Sequence, residues 1–94
     1  RRMTTLSARL TLHIPWANSL KDKRQVSRSL TQKTRQKFNV SIAEVDTPDL
    51  HRRLTLGIAA LSGTRRQASA LLEAAIRFVE SATEAELLSV EYVD

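Results

Sequence analysis

From Leu6 to Ile14 apolar and polar residues alternate without a break, with Leu6, Ala8, Leu10, Leu12 and Ile14 on one face and Ser7, Arg9, Thr11 and His13 on the other. A period of two predicts a half-buried strand. Pro15 ends its ladder, Ser19 is placed to cap a helix, and Asp22 stands at the third helical position, where a carboxylate favours the positive helix end. From Leu20 to about Lys37 the period changes to 3.6, with Leu20, Val26, Ser27, Leu30 and Thr34 on one arc. Phe38 to Asp46 reads as a second strand, Thr47-Pro48-Asp49 as a turn, and Leu54 to Leu61 as a third strand ended by Ser62-Gly63. A second helix runs from Gly63 or Thr64 to about Ser81, with Ala68, Leu71, Leu72, Ala75, Ile76 and Val79 at core spacing. Leu87 to Val93 supplies the last strand.

Strand, helix, strand, strand, helix, strand is the order of an α+β ferredoxin-like βαββαβ sandwich: a four-stranded antiparallel sheet of order 4-1-3-2 with both helices on one face. The 94 residues fit one domain spanning 1–94. Right-handed crossovers bring the end of the first strand, the start of the first helix and the turn between the second and third strands to one edge. That edge collects His13, Trp16, Lys23, Glu44, Asp46, His51 and Arg52 as a candidate site. Alternation turns His13 to the uncovered side of the sheet. Glu44 and Asp46, two apart, are expected on one strand face, where their carboxylates can approach each other or, as the preferred reading, pair with Lys23, Arg52 and Arg53 in partly exposed ion pairs.

Charge changes the picture. Residues 1–37 carry a net +9 and residues 38–94 a net −4, within a total of +5. Lys21, Arg24, Arg28 and Arg35 fall on one arc of about 60° of the first helix, a stripe able to meet phosphates. Lys23 lies outside it, at an angle inside the apolar arc, and must pass the helix end or meet a partner there. The first and third strands contain no aromatic residue. A base-stacking platform on the sheet is therefore excluded, and any RNA contact goes to the backbone through the helix or the edge. Of the aromatics, Phe38, Phe78 and Tyr92 read as packing residues; Trp16 reads as packing over the helix start or, alternatively, as a partner contact.

The chain has no cysteine and two glycines, which leaves no disulfide, no thiolate metal site and no phosphate cradle. No His and acid spacing suggests a metal, no cofactor is implied, and no nucleophile motif supports an enzyme. The absence of cysteine fits the cytoplasm, and neither an apolar run of membrane-spanning length nor a signal-type segment is present. The sheet's free face, with Thr55, Gly57, Ala59 and Leu61 beside Ser7, Arg9 and Thr11, is flat and mostly small, which suits a homodimer or docking on a partner protein.

Leu10-Thr11-Leu12-His13-Ile14-Pro15, Ser19-Leu20-Lys21-Asp22-Lys23-Arg24, the strand Phe38 to Asp46, Asp49-Leu50-His51-Arg52-Arg53 and Leu56-Gly57-Ile58-Ala59 carry a resemblance that runs nearly end to end. The chain resembles the YlxP-like family of small bacterial proteins of uncharacterised function. The resemblance implies the ferredoxin-like fold. Because the family's genes tend to sit among translation and ribosome-maturation genes, it also implies a role near RNA or a ribonucleoprotein such as the ribosome. Trp16 departs from the family's pattern and leaves open a copy specialised to one pathway.

Overall fold

Strict alternation makes the first strand the spine of the molecule. In the computed structural model, which describes residues 2–93, β1 (Thr4–His13) lies between β3 (Arg53–Ser62) and β4 (Glu86–Val93), antiparallel to both. β2 (Ser41–Asp46) pairs with the outer side of β3, giving the order β2-β3-β1-β4, the expected order read from the other edge. α1 (Leu20–Lys37) and α2 (Arg65–Ser81) are the two crossovers. Leu10 and Leu12 from β1 and Ile14 just after it meet Leu54, Leu56 and Ile58 from β3 with essentially no exposure, and Leu30, Leu72, Ala75 and Val79 close the core from the helices. Each such Leu, Ile or Val side chain gains roughly 1.5–3 kcal/mol on leaving water, so this single layer between sheet and helices holds the fold.

The helix starts are locally encoded. Ser19 Oγ accepts from the Asp22 amide at 3.1 Å while Asp22 Oδ2 accepts from the Asn18 amide at 2.9 Å, and Thr64 Oγ1 accepts from Gln67 in α2. At the other end of α1 the expected boundary shifts. Phe38 does not open β2, because its amide closes the helix on the Thr34 carbonyl at 2.8 Å. Its ring stands edge-on to Phe78, with centroids 5.7 Å apart, so the aromatic pair fastens the connector rather than extending the strand. Leu20, expected on the buried arc, is 37% exposed, and Lys23 and Thr31 take buried places instead.

Two irregularities shape the open face of the sheet. Register slips between Glu44 and Asp46 against β3, leaving Val45 unpaired, and again in the β1–β4 ladder, leaving Leu88 unpaired. Thr55 is buried although it belongs to the open face, because the bulge brings the Thr47 hydroxyl to 3.1 Å from its own.

Candidate nucleic-acid interface

The exposed side of α1 carries Lys21, Arg24 and Arg28, none with an acidic partner among the described residues. They share a surface depression with Gln25, and Arg28 also borders a second one with Gln25, Ser29, Gln32, Lys33 and Gln36. Arg35, placed in the same stripe by helical spacing, is used differently: its Nη2 donates at 2.7 Å to the Ile42 carbonyl of β2, an edge strand. Lys33 lies outside the arc of the stripe by its angle, yet is exposed beside Arg28. The helical wheel orders residues by angle, whereas a broad ligand meets every cation along the outward crest.

Lys23 resolves its awkward angle by burial. It is 2% exposed, and its ammonium donates to the carbonyls of Thr47 at 2.6 Å, Arg53 at 3.2 Å and Pro48 at 3.3 Å. Glu44 Oε2 lies 3.0 Å from the same nitrogen as an ion pair, but without hydrogen-bond geometry. Four oxygens face three protons, and the carbonyls take them. The lysine therefore ties the start of α1 to the β2–β3 turn. Thr47 in that turn has φ 53°, a left-handed conformation unusual for a β-branched residue. Its carbonyl and hydroxyl are both held.

The bulge at Val45 corrects the expectation that Glu44 and Asp46 share a face. Glu44 turns to the helix side and meets Lys23, while Asp46 turns to the open side, where its Oδ2 is 3.2 Å from Arg9 Nη1. Arg9 also lies 3.5 Å from Glu91 and so bridges β2 to β4 across the open face. Period-two counting fails here because one extra residue reverses every later orientation. Arg52 meets no acid among the described residues: its Nε donates to the Ala17 carbonyl at 3.0 Å and its Nη2 approaches Asn18 Oδ1 at 3.4 Å. The edge is thus a set of latches. His13 pairs in register with Arg53 and Glu86 on the open side, separated from Glu44 by the sheet, and His51 is exposed in the turn.

Concavities also lie away from the crest of α1. A shallow trough of about 480 Å³ crosses the open sheet face over Gly57 and Ala59, bordered by Ser7, Arg9, Ala43, Val45 and Val93. Trp16, 46% exposed, lines a cleft of about 420 Å³ between α1 and the residues after α2. Tyr92, half exposed, donates to Glu73 Oε2 at 2.7 Å, and that bond to a carboxylate, with the lesser effects of burial and of the charge itself, raises its phenol above the usual 10.0. Among the described residues no three His, Asp or Glu side chains converge as a metal site, and no helix is long and apolar enough to cross a membrane.

An antiparallel sheet of order β2-β3-β1-β4, covered on one face by two crossover helices, defines the class: a ferredoxin-like α+β protein. A solved C-terminal segment of the alpha subunit of aIF2 from Pyrococcus abyssi shares this fold with a TM-score of 0.61 at 11% identity; the match covers 99% of this chain and about half, 52%, of that one. The chain belongs to the family described as "Protein of unknown function (DUF503)", whose model matches residues 5–92. It is 40% identical over 70 residues to the uncharacterized protein YlxP of Bacillus subtilis (strain 168), covering 74% of this chain and 76% of that protein.

Proposed function

We propose that this protein is a non-enzymatic binding module of the cytoplasm that contacts structured RNA, or a ribonucleoprotein such as the ribosome, through the outward side of α1. The carrying observation is the contrast in how its cations are used. Arg9 and Lys23 are paired with acids, whereas Lys21, Arg24 and Arg28 stand exposed, without an acidic partner among the described residues, on a helix whose one acid, Asp22, is engaged at the cap. Unpaired cations in a row neutralise phosphates and release counterions, giving affinity with little sequence preference. Arg35 adds to the field but has one donor committed to β2. The test is binding of a labelled RNA hairpin across a salt series. Replacing Lys21, Arg24 and Arg28 together by Ala should weaken binding and flatten the slope of log K against log salt by roughly 2–3; an unchanged slope refutes the reading.

The open sheet face favours a second reading, in which two copies pair or a partner protein docks over the trough. Its support is the run of small residues at Gly57, Ala59 and Ala43, flanked by exposed Val45, Leu61 and Val93. Light scattering at high concentration separates the two, since a persistent monomer removes self-pairing.

A further inference from the structure

The cleft under Trp16 has the construction of a site for a flat apolar ligand with polar edges. Trp16 follows Pro15 in the connection from β1 to α1, and its neighbours are fastened on both sides. The Ile14 amide donates to the Arg52 carbonyl at 2.9 Å, the Ala17 amide returns to Ile14, and Arg52 Nε donates to the Ala17 carbonyl. Ile14 and Ala17 are fully buried, so the exposed indole stands on a fixed base. One wall of the cleft is Val26 and Leu30 of α1, and the opposite one is Ala82 and Thr83 after α2. Gln25, Ser29 and Glu84 supply polar groups at the rim. At about 420 Å³ the concavity is a shallow groove, as open as the trough on the sheet face, which suits a ring laid against the indole rather than an enclosed molecule.

Position supplies the chemistry of the occupant. Gln25 and Ser29 line this cleft and also border the depressions that hold Lys21, Arg24, Arg28 and Lys33, so the aromatic cleft and the cationic crest form one continuous surface. Glu84 is the one acid lining the three concavities, and it lines the one that holds Trp16 and none of the cations. A ligand matching this surface has a planar ring at one end, with N–H donors for a carboxylate, and negative charge at the other. An unpaired nucleotide has that form. Its base stacks on an aromatic side chain while its phosphates follow the basic surface.

We propose that the Trp16 cleft stacks one unpaired base of the bound RNA, with the adjoining phosphates crossing Gln25 to reach Arg28, Arg24 and Lys21. This rests on the reading of α1 as an RNA contact and adds what that reading lacks, a reason to prefer RNA with an unpaired nucleotide over a plain duplex. The sheet needs no aromatics for this, because the platform stands at the helix start.

Trp16 is the sole tryptophan of the chain, so its fluorescence reports on this cleft alone. The probes are a blunt RNA hairpin and the same hairpin with a single-stranded overhang. The overhang should quench the emission to saturation and bind roughly tenfold more tightly than the blunt form. Trp16→Ala should abolish that advantage, measured by anisotropy of labelled RNA, and leave the salt slope in place. Trp16→Phe, which retains a stacking ring, should keep most of the advantage and guards against a folding defect in the alanine variant. Equal affinity for the two hairpins, or saturation without a change in emission, overturns the cleft proposal while salt-dependent binding keeps the parent reading intact. No binding of either hairpin overturns both.

Discussion

Replacing Lys23 by Met isolates the contribution of the buried ammonium, because the side chains have similar length and only the charge and its donors disappear. Three carbonyls lose a charged donor, at 2.6, 3.2 and 3.3 Å. A hydrogen bond to a charged group contributes about 1.5 kcal/mol or more net, so three amount to roughly 4–5 kcal/mol if nothing replaces them. Pro48 and Arg53 are exposed residues and Thr47 is half-buried, so water recovers part of the loss; the variant no longer desolvates an ammonium but leaves the buried Glu44 Oε2 without its counter-charge. The expected cost is about 3 kcal/mol, a large share of the stability of a domain this small. Glu44→Gln takes away the carboxylate beside the ammonium but keeps an oxygen there and leaves the three carbonyls in place, so it should cost less than Lys23→Met, about 1–2 kcal/mol.

Urea unfolding of the two variants provides the comparison, and thermal melting should place Lys23→Met some 12–24 °C below the parent. Amide exchange adds a local readout. Leu50 donates to Thr47 and Arg53 donates to Leu50 within the turn that Lys23 holds, so these amides should lose protection first. A loss under about 1 kcal/mol for Lys23→Met, or a larger loss for Glu44→Gln than for Lys23→Met, would refute the view that the carbonyl latch outweighs the ion pair.

Two further perturbations probe the sheet. The Tyr92 phenol, raised above 10.0 by its bond to Glu73, keeps its proton in the folded state at a pH where the unfolded chain has lost it, so its stabilisation is complete below pH 10 and declines as pH rises through the folded value. Phenolate absorbance of this sole tyrosine should therefore titrate above 10, and Glu73→Gln should bring the midpoint back down; a midpoint at the ordinary value in the parent contradicts the bond. At Gly57, an added Cβ would come within 2.9 Å of Val45 Cγ1, so Gly57→Ala should cost about 1 kcal/mol with Val45 present. In a Val45→Ala background the same change should be neutral or stabilising by a few tenths of a kcal/mol, since Ala restricts the unfolded chain; equal effects in the two backgrounds would show that the bulged valine does not press on the strand.

Local chemistry carried the fold. The alternation in β1, the Ser19 and Thr64 caps and the core spacing of α2 are short-range patterns, so the elements, their order and the class of sandwich were legible without coordinates. Several strand and helix ends moved by one or two residues, and the largest shift is at the start of β2, where the Phe38 amide completes a helix instead of beginning a ladder. The cationic stripe was legible for the same reason, because helical period alone brings Lys21, Arg24 and Arg28 together.

What each charge does was decided by tertiary structure. Neither period predicts a bulge, and the unpaired Val45 sends Glu44 to Lys23 and Asp46 to Arg9 on opposite faces of one strand. Lys23 looked like a misfit in the apolar arc because its partners, three turn carbonyls, are backbone groups of a segment more than twenty residues away. Arg35 looked free until the β2 edge came within its reach, and Trp16 had no cleft until the end of α2 was folded against α1. Periodicity is a property of neighbours along the chain, so it fixes the elements and the faces of their unbroken stretches; bulges, pairing and enclosure depend on contacts between segments remote in the chain, which packing alone sets.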